Sequence, residues 1–296
     1  MDYHELMTRI ATFPLVARGL AEELVSGHYK AVFRGQGIEF DEVRHYEAGD
    51  DIRSIDWNVS ARFGTPYVKM YREEREMNVC MILDTSDSMH SPGDKLSSTP
   101  GFIVNRYEQA VLAVALIAFS AEAAGQRISM VLFDREISKI IPPRKGRSHT
   151  MAVISQAFEA RPAEKGSGLG KAIIGASRLL KRRSLIIIIS DFLCINWEQE
   201  MLELSRKHDV IALRISGPLD REIPDGGLLI LEDPETGVRY TVSSSFPSFK
   251  NSWSRWHEER TKLWEAICRR SGAGFLDLST NDDAISALMQ FFKGHQ

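Results

Sequence analysis

Apolar residues change their spacing twice along the chain, and each change marks a boundary. In the first thirty residues Leu6, Ile10, Phe13 and Leu15 fall on one helical face, and residues 20–25 continue the pattern beyond a break at Pro14. Between residues 32 and 77 the texture turns to glycines, aromatics and dense charge, which suits short strands and turns packed on a neighbour. Residues 1–76 therefore read as an N-terminal accessory segment of helix, strand and turn.

From residue 77 a β/α rhythm sets in. Predominantly apolar runs predict strands over 78–83, 128–133, 185–190, 210–215 and 274–278, with a short strand over 137–141 able to pair with its predecessor. Helical spacing predicts helices over 102–124, 150–159, 169–181 and near 197–207, and a long helix after Phe249. Strands apolar on both faces, separated by helices, fold as a mostly parallel sheet covered on both sides. Two interruptions remain. Residues 91–100, rich in Ser, Pro and Gly, read as a loop, and two short strands flanking residues 233–237 predict a β-hairpin inserted near 228–243.

A chain of 296 residues, 43% hydrophobic and 26% charged, can bury one large core or one core with a small accessory unit. The net charge of -3, from 37 basic and 40 acidic residues, gives no global attraction to nucleic acid or an anionic membrane. No apolar run approaches the roughly 20 residues of a membrane span. The start of the chain lacks the basic-then-apolar order of a secretory signal, and three scattered cysteines give no disulfide framework. The expected location is the cytoplasm.

The segment with chemistry is 79–89, where an apolar strand runs into Asp84-Thr85-Ser86-Asp87-Ser88. At the carboxyl edge of a parallel sheet, one carboxylate and two hydroxyls at alternate positions suit Mg2+ or Mn2+, which prefer oxygen ligands and keep waters. Composition alone produces Asp-x-Ser-x-Ser in roughly one chain of this length in fifteen, so a second feature is needed. The run 185–190 supplies it by ending in Asp191. Between the two, Ser167 precedes a helix, where it either offers one more hydroxyl or caps that helix.

These three stretches, in this order, resemble the three loops of the metal-ion-dependent adhesion site of von Willebrand factor A domains. Upstream, residues 46–57, reading Tyr-Glu-Ala-Gly-Asp-Asp-Ile-Arg-Ser-Ile-Asp-Trp, with Ser60-Ala61-Arg62, closely resemble the bacterial family called domain of unknown function 58. With the late Asp-Pro-Glu-Thr-Gly turn, the likeness spans nearly the whole chain. It implies a Rossmann-like, three-layer α/β domain whose six-stranded, mostly parallel sheet has one antiparallel edge strand at 137–141. It also implies a noncatalytic adaptor or assembly factor that works with a MoxR-type AAA+ ATPase on a client protein. In that scheme a metal held by Asp84, Ser86, Ser88, Ser167 and Asp191 is completed by an acidic side chain of the partner. One departure stands out: the family commonly has Thr-Asp where this chain has Ser167-Gly168. The alternative is a metal-dependent hydrolase using the same ion, for which no general base is placed by motif. A third reading keeps the scaffold with an empty site.

Other features have plainer expectations. Asp50, Asp51 and Asp56 are expected to pair with Arg53 or Arg62 rather than hold a second ion, and Tyr46 and Trp57 to anchor packing. Together these seven residues form a candidate docking segment. Residues 166–171 imitate a phosphate loop but lack its spacing and the Ser or Thr after Lys171, so no nucleotide site is expected. Histidine and cysteine spacings give no transition-metal site. Cys194 reads as a small loop or core residue, Arg144-Lys145-Arg147 as a solvated loop, and Trp253 and Trp256 as part of an amphipathic helix rather than a nucleic-acid surface.

Overall fold

A computed structural model describes residues 19–21, 39–47, 49–72, 77–90, 105–223, 227–232 and 238–294. The apolar face at residues 6–15, the loop at 91–100 and the hairpin tip at 233–237 lie outside these residues. The chain forms two compact units, one of residues 33–76 and one of all the rest.

The smaller unit is an antiparallel pair, β1 (Glu39–His45) and β2 (Tyr67–Arg72), connected through a 3-10 turn at Ile52–Ser54 and a short helix, α1 (Trp57–Phe63). It is smaller than the expected 1–76 segment. Of the residues before it, Gly19–Ala21 are helical, Leu20 and Ala21 are buried, and a Cβ at Gly19 would lie 3.9 Å from Met289 Cε in the larger unit.

The larger unit is a mixed α/β fold. Its strands β3 (Asn78–Asp84), β4 (Arg127–Phe133), β5 (Ile137–Arg144), β6 (Leu185–Ser190), β7 (Asp209–Ser216) and β10 (Gly274–Ser279) form one sheet in the order β10-β7-β6-β3-β4-β5. All neighbours are parallel except β5, which pairs antiparallel with β4 at the edge. The edge position explains a departure from expectation. Pro142-Pro143 and Arg144 continue β5 instead of opening a loop, because an edge strand tolerates residues that cannot donate to a ladder.

Burial follows from the apolar runs. Val79 through Leu83 and Leu185 through Ile189 are at most 1% exposed, and each such Ile or Leu contributes about 1.5–3 kcal/mol relative to exposure. One face carries α2 (Arg106–Ala123), α3 (Arg147–Glu159) and α8 (Ala284–Gly294); the other carries α4 (Leu169–Leu179), α5 (Glu198–Lys207) and α7 (Pro247–Ser271). Helix α2 is apolar nearly all round and buried accordingly, while α4, α5 and α8 are amphipathic. Between β7 and α7 the chain makes a four-residue helix, α6 (Pro218–Arg221), and an antiparallel hairpin of β8 (Leu228–Glu232) and β9 (Arg239–Ser243). No helix among the described residues is long and apolar enough to cross a membrane.

The strand order decides where a site can form. From β3 the chain builds outward through β4 and β5, then returns to the other side of β3 and builds outward through β6, β7 and β10. The reversal opens a crevice between the carboxyl ends of β3 and β6, the place where open α/β sheets bind ligands.

Candidate functional site

Asp84 is the last residue of β3, and Ser190 and Asp191 end β6 and begin the loop after it. Because Leu83 pairs with Ile189, one further step along both strands sets Asp84 beside Ser190. The carboxylate is fully buried and densely held. Its Oδ1 accepts from the Ser86 amide at 2.9 Å, and its Oδ2 accepts from Ser190 Oγ at 2.7 Å and from Ser167 Oγ at 3.2 Å. Ser86 Oγ and Ser88 Oγ lie 3.0 Å apart, both buried, in the turn that follows β3. Thr85 faces the other way and locks this turn to β4, its amide and its hydroxyl both donating to the Phe133 carbonyl.

Asp191 is 3% exposed. Its Oδ1 accepts from the Leu193 amide at 3.0 Å, while its buried Oδ2 has no hydrogen-bond partner and lies 3.6 Å from the Arg106 guanidinium. The next residue, Phe192, has φ of 55°, a left-handed conformation uncommon for a bulky side chain. Its buried ring, packed against Trp197 and Trp264, holds the chain there and turns it sharply behind Asp191.

Ser167 does not cap helix α4; the cap position is Gly168, without a side-chain bond, and the Ser167 hydroxyl turns to Asp84. Gly168, the residue after Ser167, leaves no room for a side chain. A Cβ at this position would sit 2.2 Å from the Arg135 carbonyl oxygen, so no side chain fits without moving the backbone. The loop is tied down by Asp134, whose carboxylate accepts from the amides of Glu136, Ala163 and Glu164, and whose carbonyl accepts from the Gly168 amide.

Burial, and then the nearby Asp191 carboxylate, push the Asp84 carboxyl up to about 7. Two carboxylates are thus drawn together out of water with one guanidinium nearby, and that guanidinium is shared. Arg106 also meets Asp220 at 2.5 Å. The residues fit a hard divalent cation: the donors are carboxylate and hydroxyl oxygens, and one buried carboxylate oxygen has no hydrogen-bond partner and faces only the shared Arg106 guanidinium. Among the described residues no group of three or more His, Cys, Asp or Glu side chains gathers to hold a metal, so a cation here would depend on hydroxyls and waters for much of its shell.

Ser190 and Arg106 complete the site yet were not singled out by sequence. Ser190 had a signal, since it immediately precedes Asp191 and ends the same run. Arg106 had none, being 85 positions from Asp191 and brought there only by packing of α2. His90 stands close, stacked on Tyr107, but its Nδ1 lies 3.2 Å from the Ser86 carbonyl, not from either hydroxyl. Cys194 is buried.

The candidate docking segment lies in the smaller unit. Asp50 forms a two-point pair with Arg44, at 2.6 and 2.8 Å, instead of with Arg53 or Arg62. Arg44 projects from the adjacent strand and offers a planar fork to the carboxylate. Asp51 caps the 3-10 turn and Asp56 caps α1, so both are occupied by backbone amides. Tyr46 is half-buried and its amide donates to the Pro66 carbonyl, whereas Arg53 and Arg62 are exposed. Trp57, expected to anchor packing, is 68% exposed at the start of α1.

Similarity to known proteins agrees with this picture at the level of family. The model of the family described as "Protein of unknown function DUF58" matches residues 42–262. The uncharacterized protein Rv1480 of Mycobacterium tuberculosis is 29% identical over 98% of this chain and 90% of its own length. An uncharacterized protein of Mycobacterium avium, MAV169, is 31% identical over 53% of this chain and 94% of its own length. Among solved structures, the conserved hypothetical protein BatB from Bacteroides thetaiotaomicron superposes with a TM-score of 0.49 at 17% identity, covering 74% of this chain and 98% of that one. With its model matched across the strands that build the crevice, the chain belongs to the DUF58 family.

Proposed function

We propose that the larger unit is a von Willebrand factor A-type domain that binds Mg2+ or Mn2+ through Asp84, Ser86, Ser88, Asp191 and Ser167, and uses the ion to dock a protein partner without catalysis. The observation that carries this reading is the pair of strand-end aspartates at the switch point, surrounded by hydroxyls, with Asp191 Oδ2 buried, without a hydrogen-bond partner and facing only the shared Arg106 guanidinium. When bound, the ion supplies positive charge and an open position for an acidic side chain. The protein's own residues orient the donors: Ser190 holds Asp84, Asp134 holds the loop of Ser167, and Phe192 sets the turn behind Asp191.

The noncatalytic reading draws support from the hydroxyls. Ser86 Oγ faces Ser88 Oγ, and His90 is turned to a carbonyl, so neither of these two serines is paired with the histidine. The partner proposed is a MoxR-type AAA+ ATPase acting on a client protein, a reading that rests on the family resemblance. The test is calorimetric titration of Mg2+ and Mn2+ into wild type and the Asp84→Asn/Asp191→Asn variant, then of the ATPase with and without metal. Saturable metal binding lost in the variant, and metal-dependent ATPase binding in wild type alone, are the expected results. ATPase binding that persists in the variant overturns the metal bridge; no metal binding even with the partner present removes the site.

A further inference from the structure

The amino edge of the sheet, opposite the candidate metal site, gathers positive charge. The chain enters β6, β7 and β10 through short connections from α4, α5 and α7, and these three strands are parallel neighbours in the order β10-β7-β6. Adjacent strands lie about 5 Å apart, so the three connections share about 10 Å of one edge. The last helical turns and the connections, residues 176–184, 204–208 and 268–273, contain eight Arg and Lys and no Asp or Glu. Asp209, the first residue of β7, meets Arg183 at 2.8 Å, and Glu265, one turn back on α7, meets Arg269 at 3.1 Å. Arg178, Lys181, Arg182, Arg206, Lys207 and Arg270 are exposed and form no ion pair among the described residues.

Local structure leaves most of this charge unused. The negative carboxyl end of a helix favours a cation in its last turn, which accounts for Arg178, Arg206 and Arg269. Lys181 and Arg182 lie beyond the end of α4, and among the described residues none of the six unpaired side chains donates to a helix-end carbonyl. Like charges crowded on one edge repel one another, and an anionic partner relieves that repulsion.

The build of the edge decides which partner. No large apolar side chain is exposed in the three segments, so unpaired bases have nothing to stack on. The ends of α4, α5 and α7 turn carbonyls toward this edge, the reverse of the amide-lined helix starts that grip a phosphate closely. A discrete anion pressed onto the backbone is opposed, whereas long solvated side chains reach outward to charge spread over a plane. Clusters of about four to eight Lys and Arg are drawn to anionic bilayers in this way.

We infer that this edge is a peripheral membrane-binding face that docks the protein on anionic phospholipid through the six unpaired side chains, with no apolar segment entering the bilayer. The candidate metal site, at the opposite edge of the same sheet, is then turned away from the lipid. The inference stands apart from the metal reading, because every proposed metal ligand lies at or beyond a strand's carboxyl end or in the loop before α4.

The test is co-sedimentation of the full chain, in EDTA at low salt, with vesicles of phosphatidylcholine alone and of an equal mixture of phosphatidylcholine and phosphatidylglycerol, with a DNA duplex and polyglutamate as competitors. Binding is expected to the mixed vesicles alone, falling as salt is raised. Removing one charge from each connection in Arg182→Gln/Lys207→Gln/Arg270→Gln predicts affinity at least about tenfold weaker. Lys139→Gln/Arg255→Gln/Lys262→Gln removes the same charge elsewhere on the larger unit and is expected to bind near wild type. All six replaced side chains are exposed, and urea denaturation checks that both variants are folded. No binding to the mixed vesicles, equal binding to neutral ones, or equal binding by the folded Arg182/Lys207/Arg270 variant overturns the proposal. Tighter binding of the duplex or of polyglutamate than of the vesicles also overturns it, in favour of a nucleic-acid or an acidic protein partner.

Discussion

At the scale of single residues, the site depends on where a side chain is missing as much as on where one is present. Gly168 lets the loop of Ser167 pass against the Arg135 carbonyl, and a methyl group there would have to displace backbone. Gly168→Ala is therefore expected to lower stability by about 1–3 kcal/mol and to weaken Mg2+ binding, because Ser167 Oγ is carried away from Asp84. Urea denaturation and metal titration on the same variant check both parts, and an unchanged titration would show that Ser167 is not a ligand. Sequence exposed Asp84, Ser86, Ser88 and Asp191 because each follows or ends an apolar run, a pattern readable without coordinates. It left Ser167 open between hydroxyl donor and helix cap, since both roles place Ser before a helix. Only the direction of its side chain separates them.

At the scale of elements, strands were more legible than helix ends and short turns. The five predominantly apolar runs became the five parallel strands, and β3 and β6 are the most uniformly apolar because they are buried on both faces. The final helix, α8, escaped notice although its amphipathic pattern was present, and α1 is too short for its periodicity to register. Helix α2 shows how an element carries charge to a site. It begins with Arg106, unfavourable beside the positive end of a helix dipole, after a capping box of Asn105 and Glu108. Tertiary contacts outweigh that local cost, since Arg106 reaches Asp191 and Asp220. Arg106→Gln leaves both carboxylates undercompensated and is expected to cost about 3–5 kcal/mol. Urea denaturation in EDTA measures this loss, and Mg2+ is expected to restore part of it if the cation reading is right.

At the scale of the whole molecule, a chain of charged groups runs from Asp191 at the candidate metal site through buried Arg106, Asp220 and Arg214 to the half-buried Asp277 of β10. His257 borders this chain, 3.6 Å from Asp220. Burial lowers its pKa from 6.5 to about 4, so between those values the unfolded chain binds a proton that the folded chain does not. This contribution to stability is complete above about pH 6.5 and is lost as pH falls toward 4. His257→Gln should flatten the pH dependence of unfolding across that window; an identical slope in both proteins would show that His257 titrates normally. The alternation of apolar runs and helices, by itself, determined the α/β class, the mostly parallel sheet and the two strand-end aspartates, because these follow from local periodicity and chain order, whereas the antiparallel edge was expected from the family resemblance. Tertiary structure decided what local pattern cannot encode: that β3 and β6 are neighbours, that Arg106 serves Asp191, that Asp50 pairs with Arg44, and that His257 is buried beside Asp220. Each is a meeting of residues set by tertiary packing, and the cost of taking charge and polar groups out of water is offset only once the folded chain has brought their partners to them.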